Sequence, residues 1–156
     1  MVSIIVAMTK DRVIGADGRI PWKIKEDIQL FKSLTEGNTV IMGRATWLSL
    51  PEKFRPLPNR ANIIVSTTLG PQEGAVVCRS MDEALAEARK GNNEAYCIGG
   101  AKLYEAMLPV ADKLCISWVK GTYAGDTYFP AVDFKQWKET EAKEFPGFTF
   151  KRYLRV

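Results

Sequence analysis

Six short apolar runs recur along the chain: Val2 to Met8, Thr39 to Met42, Asn62 to Ser66, Ala75 to Cys78, Ala95 to Ile98 and Lys113 to Lys120. Most of the gaps between them carry helical periodicity, and this alternation constrains the fold more than any other feature. Strands apolar on both faces need cover on both, and parallel strands need crossover segments of a dozen residues or more. The pattern therefore predicts an α/β fold with a mostly parallel, twisted central sheet and helices on both faces. The C-terminal part differs. Phe134 to Phe145 and Phe148 to Val156 flank Pro146-Gly147, a type II turn signal, and read as an antiparallel hairpin on the edge of that sheet. No repeat, low-complexity tract or linker interrupts the series, and 156 residues with 46% hydrophobic content suffice for one domain over 1–156.

Several function classes fall away. No run approaches the ~20 apolar residues of a membrane span, and Val2 to Met8 lacks a basic lead-in and a cleavage site, so a cytoplasmic protein without membrane association is expected. Cys78, Cys97 and Cys115 lie inside apolar runs without Cys-x-x-Cys spacing and read as small, reduced core residues. The net charge of +4 and pI of 9.0 are spread along the chain with no Lys/Arg run, so no nucleic-acid partner is expected, while a small anion is served equally well. There is no histidine. Ser-His-Asp and Cys-His nucleophiles and His-ligated zinc are excluded, no metal is expected, and acid–base work is left to Asp, Glu, Lys, Tyr or water.

One acid is out of place. On a helix from Ile24 to Glu36, Lys25, Glu26, Gln29, Lys32, Ser33 and Glu36 cluster between about 80° and 200° from Ile24. Ile28, Leu30, Phe31, Leu34 and Thr35 join Ile24 on the arc from about −120° to +40°, and Asp27 sits among them at about −60°. A carboxylate on an apolar face is either a paired structural acid or a functional one, because desolvating its charge costs several kcal/mol or raises its pKa. A second helix announces itself through Ser80 and Glu83, a capping box, with Gly91 expected to end it.

Two strand ends suit phosphate. "CIGGAKLYEAML" from Cys97 runs strand, two glycines, helix, and "VIMGRATW" ends a strand at Gly43-Arg44 with a helix beginning at Thr46. Gly99-Gly100 alone equally fits a tight strand-to-helix turn, and Arg44 alone a solvated charge.

Together these segments resemble the dihydrofolate reductase family. The resemblance spans the whole chain in order: "VIGADGRIPW" with Asp27 five residues after Trp22, then "FKSLT", "VIMGRATW", "RPLPNR", "NIIVST", "CIGGAKLYE" and "GDTYFP". It implies NADPH as cofactor, dihydrofolate as substrate and a monomer. Family members hold the Gly-Gly bond cis. The resemblance places the pyrophosphate on Gly43, Arg44, Thr46, Gly99 and Gly100, continuing over Ile98, Ala101, Lys102 and Leu103. Arg44, Ser66, Thr67 and Arg79 would meet the adenosine 2′-phosphate, with Ala45 where a basic residue can assist. The nicotinamide would rest on Ala7, Ile14 and Tyr104, with Gly15, Ile20 and Thr127 in the closing segment that runs to Trp22. The pterin would bind Asp27 and Ser117 between Ile5, Val6, Ile28 and Phe31, with Trp22 holding a water. Leu50 and Leu57 would flank the aminobenzoyl ring, and Arg60, with Lys32 nearby, would take the glutamate carboxylate. Asp27, Trp22 and Ser117 form the implied catalytic set. Ile20, Ser117 and Ala101 depart from commoner Met or Leu, Thr and Gly, and Pro51 to Phe54 lengthen the loop at the substrate entrance, but no required chemical group is lost. Two alternatives stand beside this reading: a related NADPH-dependent pyrimidine reductase of riboflavin synthesis, and a non-catalytic basic binding module that would leave Asp27 unexplained.

Overall fold

Period-two alternation in the first strand divides the interior in two: Ile4, Val6 and Met8 join one hydrophobic cluster and Ile5 another on the opposite face. The computed structural model describes residues 1–156. In chain order it contains β1 (Val2–Met8), β2 (Val13–Gly15), α1 (Lys25–Thr35), β3 (Thr39–Gly43), α2 (Arg44–Ser49), β4 (Ala61–Val65) and β5 (Ala75–Cys78). There follow α3 (Met81–Ala88), β6 (Ala95–Cys97), α4 (Ala101–Met107), β7 (Lys113–Val119), β8 (Thr127–Tyr128), β9 (Trp137–Phe145) and β10 (Phe148–Arg155).

Eight strands form one sheet in the order β5-β4-β3-β6-β1-β7-β10-β9, with every pair parallel except β10 against β7 and β9. The α/β fold with an antiparallel C-terminal hairpin is as the sequence predicts, and Gly147 sits at φ +87°, as the third position of a type II turn requires. Helices cover both faces. On one, Ala84, Leu85 and Ala88 of α3 and Leu103, Tyr104 and Met107 of α4 pack with Ile4, Val6, Ile41 and Ile63. On the other, Leu30, Phe31 and Leu34 of α1 pack against Ile5, Tyr96, Cys115 and Phe150, and Trp47 of α2 joins Val40, Met42 and Ile64. The three cysteines are buried and unpaired.

Beyond one-residue shifts at strand ends, five details differ from expectation. Helix α2 begins at Arg44, with Gly43 at its N-cap, and not at Thr46. The helix expected over 24–36 runs from Lys25 to Thr35, with Ile24 in extended conformation at its N-cap. Gly91 does not end α3 through a left-handed turn; the helix stops at Ala88, and i→i−3 bonds from Lys90 and Gly91 tighten its end. The hairpin's first arm starts at Trp137, because Asp133 accepts from the Lys135 N–H and folds Phe134–Gln136 into a 3₁₀ turn. A two-stranded sheet of β2 and β8 stands apart, its strands too short for periodicity to reveal.

The register sets the site. Ala7 lies beside Ser117 across β1 and β7, and Ser117 opposite Phe150 across β7 and β10. Strand ends and the helices that follow them converge above β1, β3 and β6, where an open α/β sheet presents a crevice.

Candidate active site

Helix α1 carries Asp27 in its first turn, where the helix dipole favours a negative charge and Glu26 accompanies it. Its apolar face is not simply core. Thr35 is its only buried residue, and Ile28 is 54% exposed. The face is apolar because it walls a cavity of about 280 Å³. Twelve of sixteen lining residues are hydrophobic, and Asp27 is the only charged one. The Ser117 hydroxyl donates to Asp27 Oδ1 at 2.6 Å. Burial raises the Asp27 pKa above the usual carboxylate value, and the Ser117 bond, which favours the charged form, offsets part of that rise.

Of the expected substrate residues, Ile5, Val6, Ile28, Phe31, Leu50 and Leu57 line this cavity with Asp27 and Ser117. Ala7 and Tyr104, expected at the nicotinamide, Ile20 of the closing segment, and Thr46 and Ile98, expected along the pyrophosphate, line it too, so the substrate and cofactor regions are continuous. The Tyr104 hydroxyl donates to the Ile5 carbonyl at 2.9 Å, and burial keeps it protonated by raising its pKa well above the phenol value. Leu30, Ser49 and Phe150 also line the cavity. Helical spacing could have found two of these: Leu30 lies three residues after Asp27, and Ser49 three after Thr46. Phe150 becomes visible only through the β7–β10 register.

Three of the expected substrate and catalytic residues do not line the cavity, nor does Ile14, expected at the nicotinamide. Trp22 is buried in the cluster that contains Ile5 and Cys115, edge-on to Tyr123 with ring centroids 5.2 Å apart. Lys32 is exposed on the outer face of α1. Arg60 lies over the Phe31 ring at 6.0 Å, donating from Nε to the Pro58 carbonyl at 2.9 Å and from a terminal nitrogen to Thr35 Oγ1 at 3.1 Å. Asn62 fixes the loop beneath it, its side chain bonding Leu57 N–H and the carbonyls of Leu57 and Arg60. Pro51 to Phe54 at the rim include the 3₁₀ turn Glu52–Phe54.

A second cleft, of about 520 Å³, is lined by Gly43, Arg44, Ala45, Gly100, Ala101, Lys102 and Leu103, all expected, and by Val65, Met81 and Ala106. The Gly43 N–H donates to the Gly99 carbonyl at 2.9 Å and ties its two edges together. The Gly99-Gly100 bond is cis, and Gly99 has φ +110°. A Cβ at Gly99 would lie 3.2 Å from the Tyr104 ring, so only glycine leaves this corner undisturbed. Ser66 is buried, and its hydroxyl accepts from the N–H groups of Thr68 and Leu69. One Arg79 terminal nitrogen donates to the Ser66 and Leu69 carbonyls. These two residues thus brace the 66–69 turn, while Arg44 and Thr67 stand exposed beside it.

The segment expected to close over the cavity is tied at its base. Gly15 pairs with Thr127 across β2 and β8, and Ile14 packs against the larger cluster. Asp126 accepts from the Asp17 N–H at 3.0 Å and donates through its own N–H to the Gly15 carbonyl at 3.0 Å; the first bond leads in holding its carboxyl below the usual range. Ile20, 64% exposed, reaches the cavity from this segment.

Comparison with known proteins gives one family throughout. The family model described as Dihydrofolate reductase matches residues 1–154. A dihydrofolate reductase of Neisseria meningitidis serogroup A is 40% identical over 161 residues, covering 99% of this chain and 98% of that protein. One of Bacillus subtilis is 37% identical over 145 residues, covering 92% of this chain and 84% of that protein. A solved structure, dihydrofolate reductase from Enterococcus faecalis complexed with NADP(H) and RAB-propyl, aligns with a TM-score of 0.89 at 31% identity, covering 99% of this chain and 96% of that one.

Proposed function

The chain belongs to the dihydrofolate reductase family, and from that premise we infer how its two clefts perform the family's reaction. The reaction reduces 7,8-dihydrofolate to 5,6,7,8-tetrahydrofolate with NADPH, by hydride transfer to pterin C6 and protonation at N5. Family membership displaces the pyrimidine-reductase and binding-module alternatives.

Asp27 carries the reading, as the sole charge in a cavity otherwise apolar or hydroxylated. Its carboxylate takes the pterin amino group and ring N–H in paired bonds, a geometry that apolar walls make selective by leaving no competing partner. Ser117 holds that carboxylate in place. Since the Tyr104 hydroxyl is committed to Ile5, Asp27 is the one wall group able to deliver or polarise the proton that N5 gains. Trp22 acts from behind the wall, keeping the segment after Gly15 packed toward Tyr123. Leu50 and Leu57 flank the aminobenzoyl ring, and Arg60, with Lys32 on the outer side, receives the tail carboxylate.

The second cleft fits a dinucleotide. Its floor is bare backbone at Gly43 and Gly100, where a pyrophosphate can approach amide groups closely. When bound there, NADPH supplies the hydride. Arg44 and Thr67 meet the 2′-phosphate, with Arg79 and Ser66 bracing their turn and the helix-start residues Ala101 to Leu103 lining the approach. Both clefts open on one sheet, so 1–156 acts as one domain; no helix is long and apolar enough to cross a membrane, and we assign a cytoplasmic monomer. NADPH consumption with dihydrofolate tests the reading: turnover requiring both compounds supports it, and binding without turnover overturns it.

A further inference from the structure

Arg60 does not stand alone at the tail end. Of its five N–H groups, Nε–H goes to the Pro58 carbonyl and a terminal N–H to Thr35 Oγ1, leaving three for a ligand. Thr35 is fully buried, although it belongs to the face that otherwise walls the cavity. Its hydroxyl proton is already placed, because Oγ1 donates to the Phe31 carbonyl one turn back at 2.8 Å. The oxygen's lone pairs therefore remain for Arg60, and the hydroxyl serves as a one-way acceptor locked to the helix. The same turn supplies the Phe31 ring beneath the guanidinium. The end of α1 thus presents both an acceptor and an aromatic platform to a residue on the loop before β4.

We propose that Thr35 is a positioning residue for dihydrofolate, holding the Arg60 guanidinium so that its free N–H groups face the substrate's carboxylate. Long side chains lose rotamer freedom when they bind, and a guanidinium already fixed at two N–H groups loses less. Thr35 touches neither the pterin site nor the cofactor cleft. This rests on the reading of Arg60 as the tail receptor.

The test compares Thr35→Val, nearly isosteric but without the acceptor, with Thr35→Ser, which keeps it. Each is assayed with dihydrofolate and with a dihydropterin lacking glutamate, together with dissociation constants from tryptophan fluorescence quenching. Thr35→Val should raise KM and Kd for dihydrofolate roughly three- to tenfold, leaving kcat, the NADPH KM and both constants for the truncated pterin unchanged. Thr35→Ser should restore the wild-type values and guards against a valine variant that folds poorly. An unchanged dihydrofolate KM in Thr35→Val, an equal loss on both substrates, or failure of Thr35→Ser to restore binding overturns the proposal while wild-type turnover leaves the enzymatic reading intact. Wild-type protein that neither binds nor reduces dihydrofolate overturns both.

Discussion

The cavity under α1 is walled by side chains, twelve of sixteen hydrophobic with a single carboxylate among them, whereas the cleft above α4 is lined at two strand-to-helix junctions by small residues: Gly43, Gly100, Ala45, Ala101 and Ala106 present mostly backbone. The two sites therefore discriminate differently. In the cavity one charge in a low-dielectric setting confers selectivity, and its removal leaves nothing to replace it. In the cleft recognition is spread over amides and exposed side chains, each a modest contributor with water at hand. Single substitutions should consequently have steep effects in the cavity and shallow ones in the cleft.

The steepest expected effect is that of Asp27→Asn, which keeps the shape and an acceptor for the Ser117 hydroxyl but removes the charge. At neutral pH its kcat with dihydrofolate should fall about 10²- to 10⁴-fold, the range for loss of a general acid–base group. It should recover partly in acid, where solvent can protonate N5 unaided. A pH–rate profile of both proteins checks this, and a variant turning over normally at neutral pH would remove the catalytic role from Asp27.

Next comes Arg60→Leu, which tests the proposed pairing of one charged group with the tail carboxylate at a partly solvated rim. Dihydrofolate binding should weaken by ~2 to 3 kcal/mol, with a glutamate-free dihydropterin spared. Equal losses on the two substrates would mean that Arg60, with its bonds to Pro58 and Thr35, only holds the loop.

Shallower still is Arg44→Ala. Arg44 is exposed, so losing the contact proposed for it with the 2′-phosphate should cost ~1 kcal/mol, raising KM for NADPH several-fold and leaving that for NADH unchanged. A loss as large as that of Asp27→Asn would erase the contrast between the sites; an equal loss on both cofactors would take Arg44 off the 2′-phosphate.

The same contrast governs what the sequence discloses. Asp27 is visible because helical spacing sets every side chain of α1 on a known face, and a charge on the apolar one is conspicuous. Ile28 shows the limit: periodicity marks it as facing inward without saying that inward here means a cavity, which leaves it half exposed. Ser66 and Arg79 show another. Their hydroxyl and guanidinium suit a phosphate by type, yet both are engaged by the 66–69 turn, and nothing in a linear sequence reports which loop carbonyl will come within reach. Phe150 joins the cavity through an antiparallel register, and β2 and β8 pair over so few residues that no pattern can build up. The parallel sheet was readable because its strands repeat one signature of apolarity on both faces.

The smallest effect is also the sharpest check on the cavity, because it concerns stability rather than rate. Burial raises the folded-state pKa of Asp27, outweighing the Ser117 hydroxyl that favours its charged form. Between the unfolded value of ~3.9 and the folded one, the native protein therefore binds more protons than the unfolded chain. The carboxyl's contribution to stability is fully present below the unfolded pKa and is lost as pH rises through the folded pKa. Asp27→Asn never ionises and escapes that loss. Its denaturation midpoint should match the wild type's in strong acid, pull ahead as pH rises through the folded pKa of Asp27, and keep a constant lead up to neutrality. Denaturation midpoints of both proteins across this range measure it. A variant less stable than wild type at neutral pH would mean that the carboxylate is held by favourable partners, as in an ordinary structural ion pair, and the cavity would then resemble the cleft in spreading its interactions. A lead that appears on schedule places the charge where folding disfavours it, a position that the apolar packing of α1 alone gives no reason to occupy.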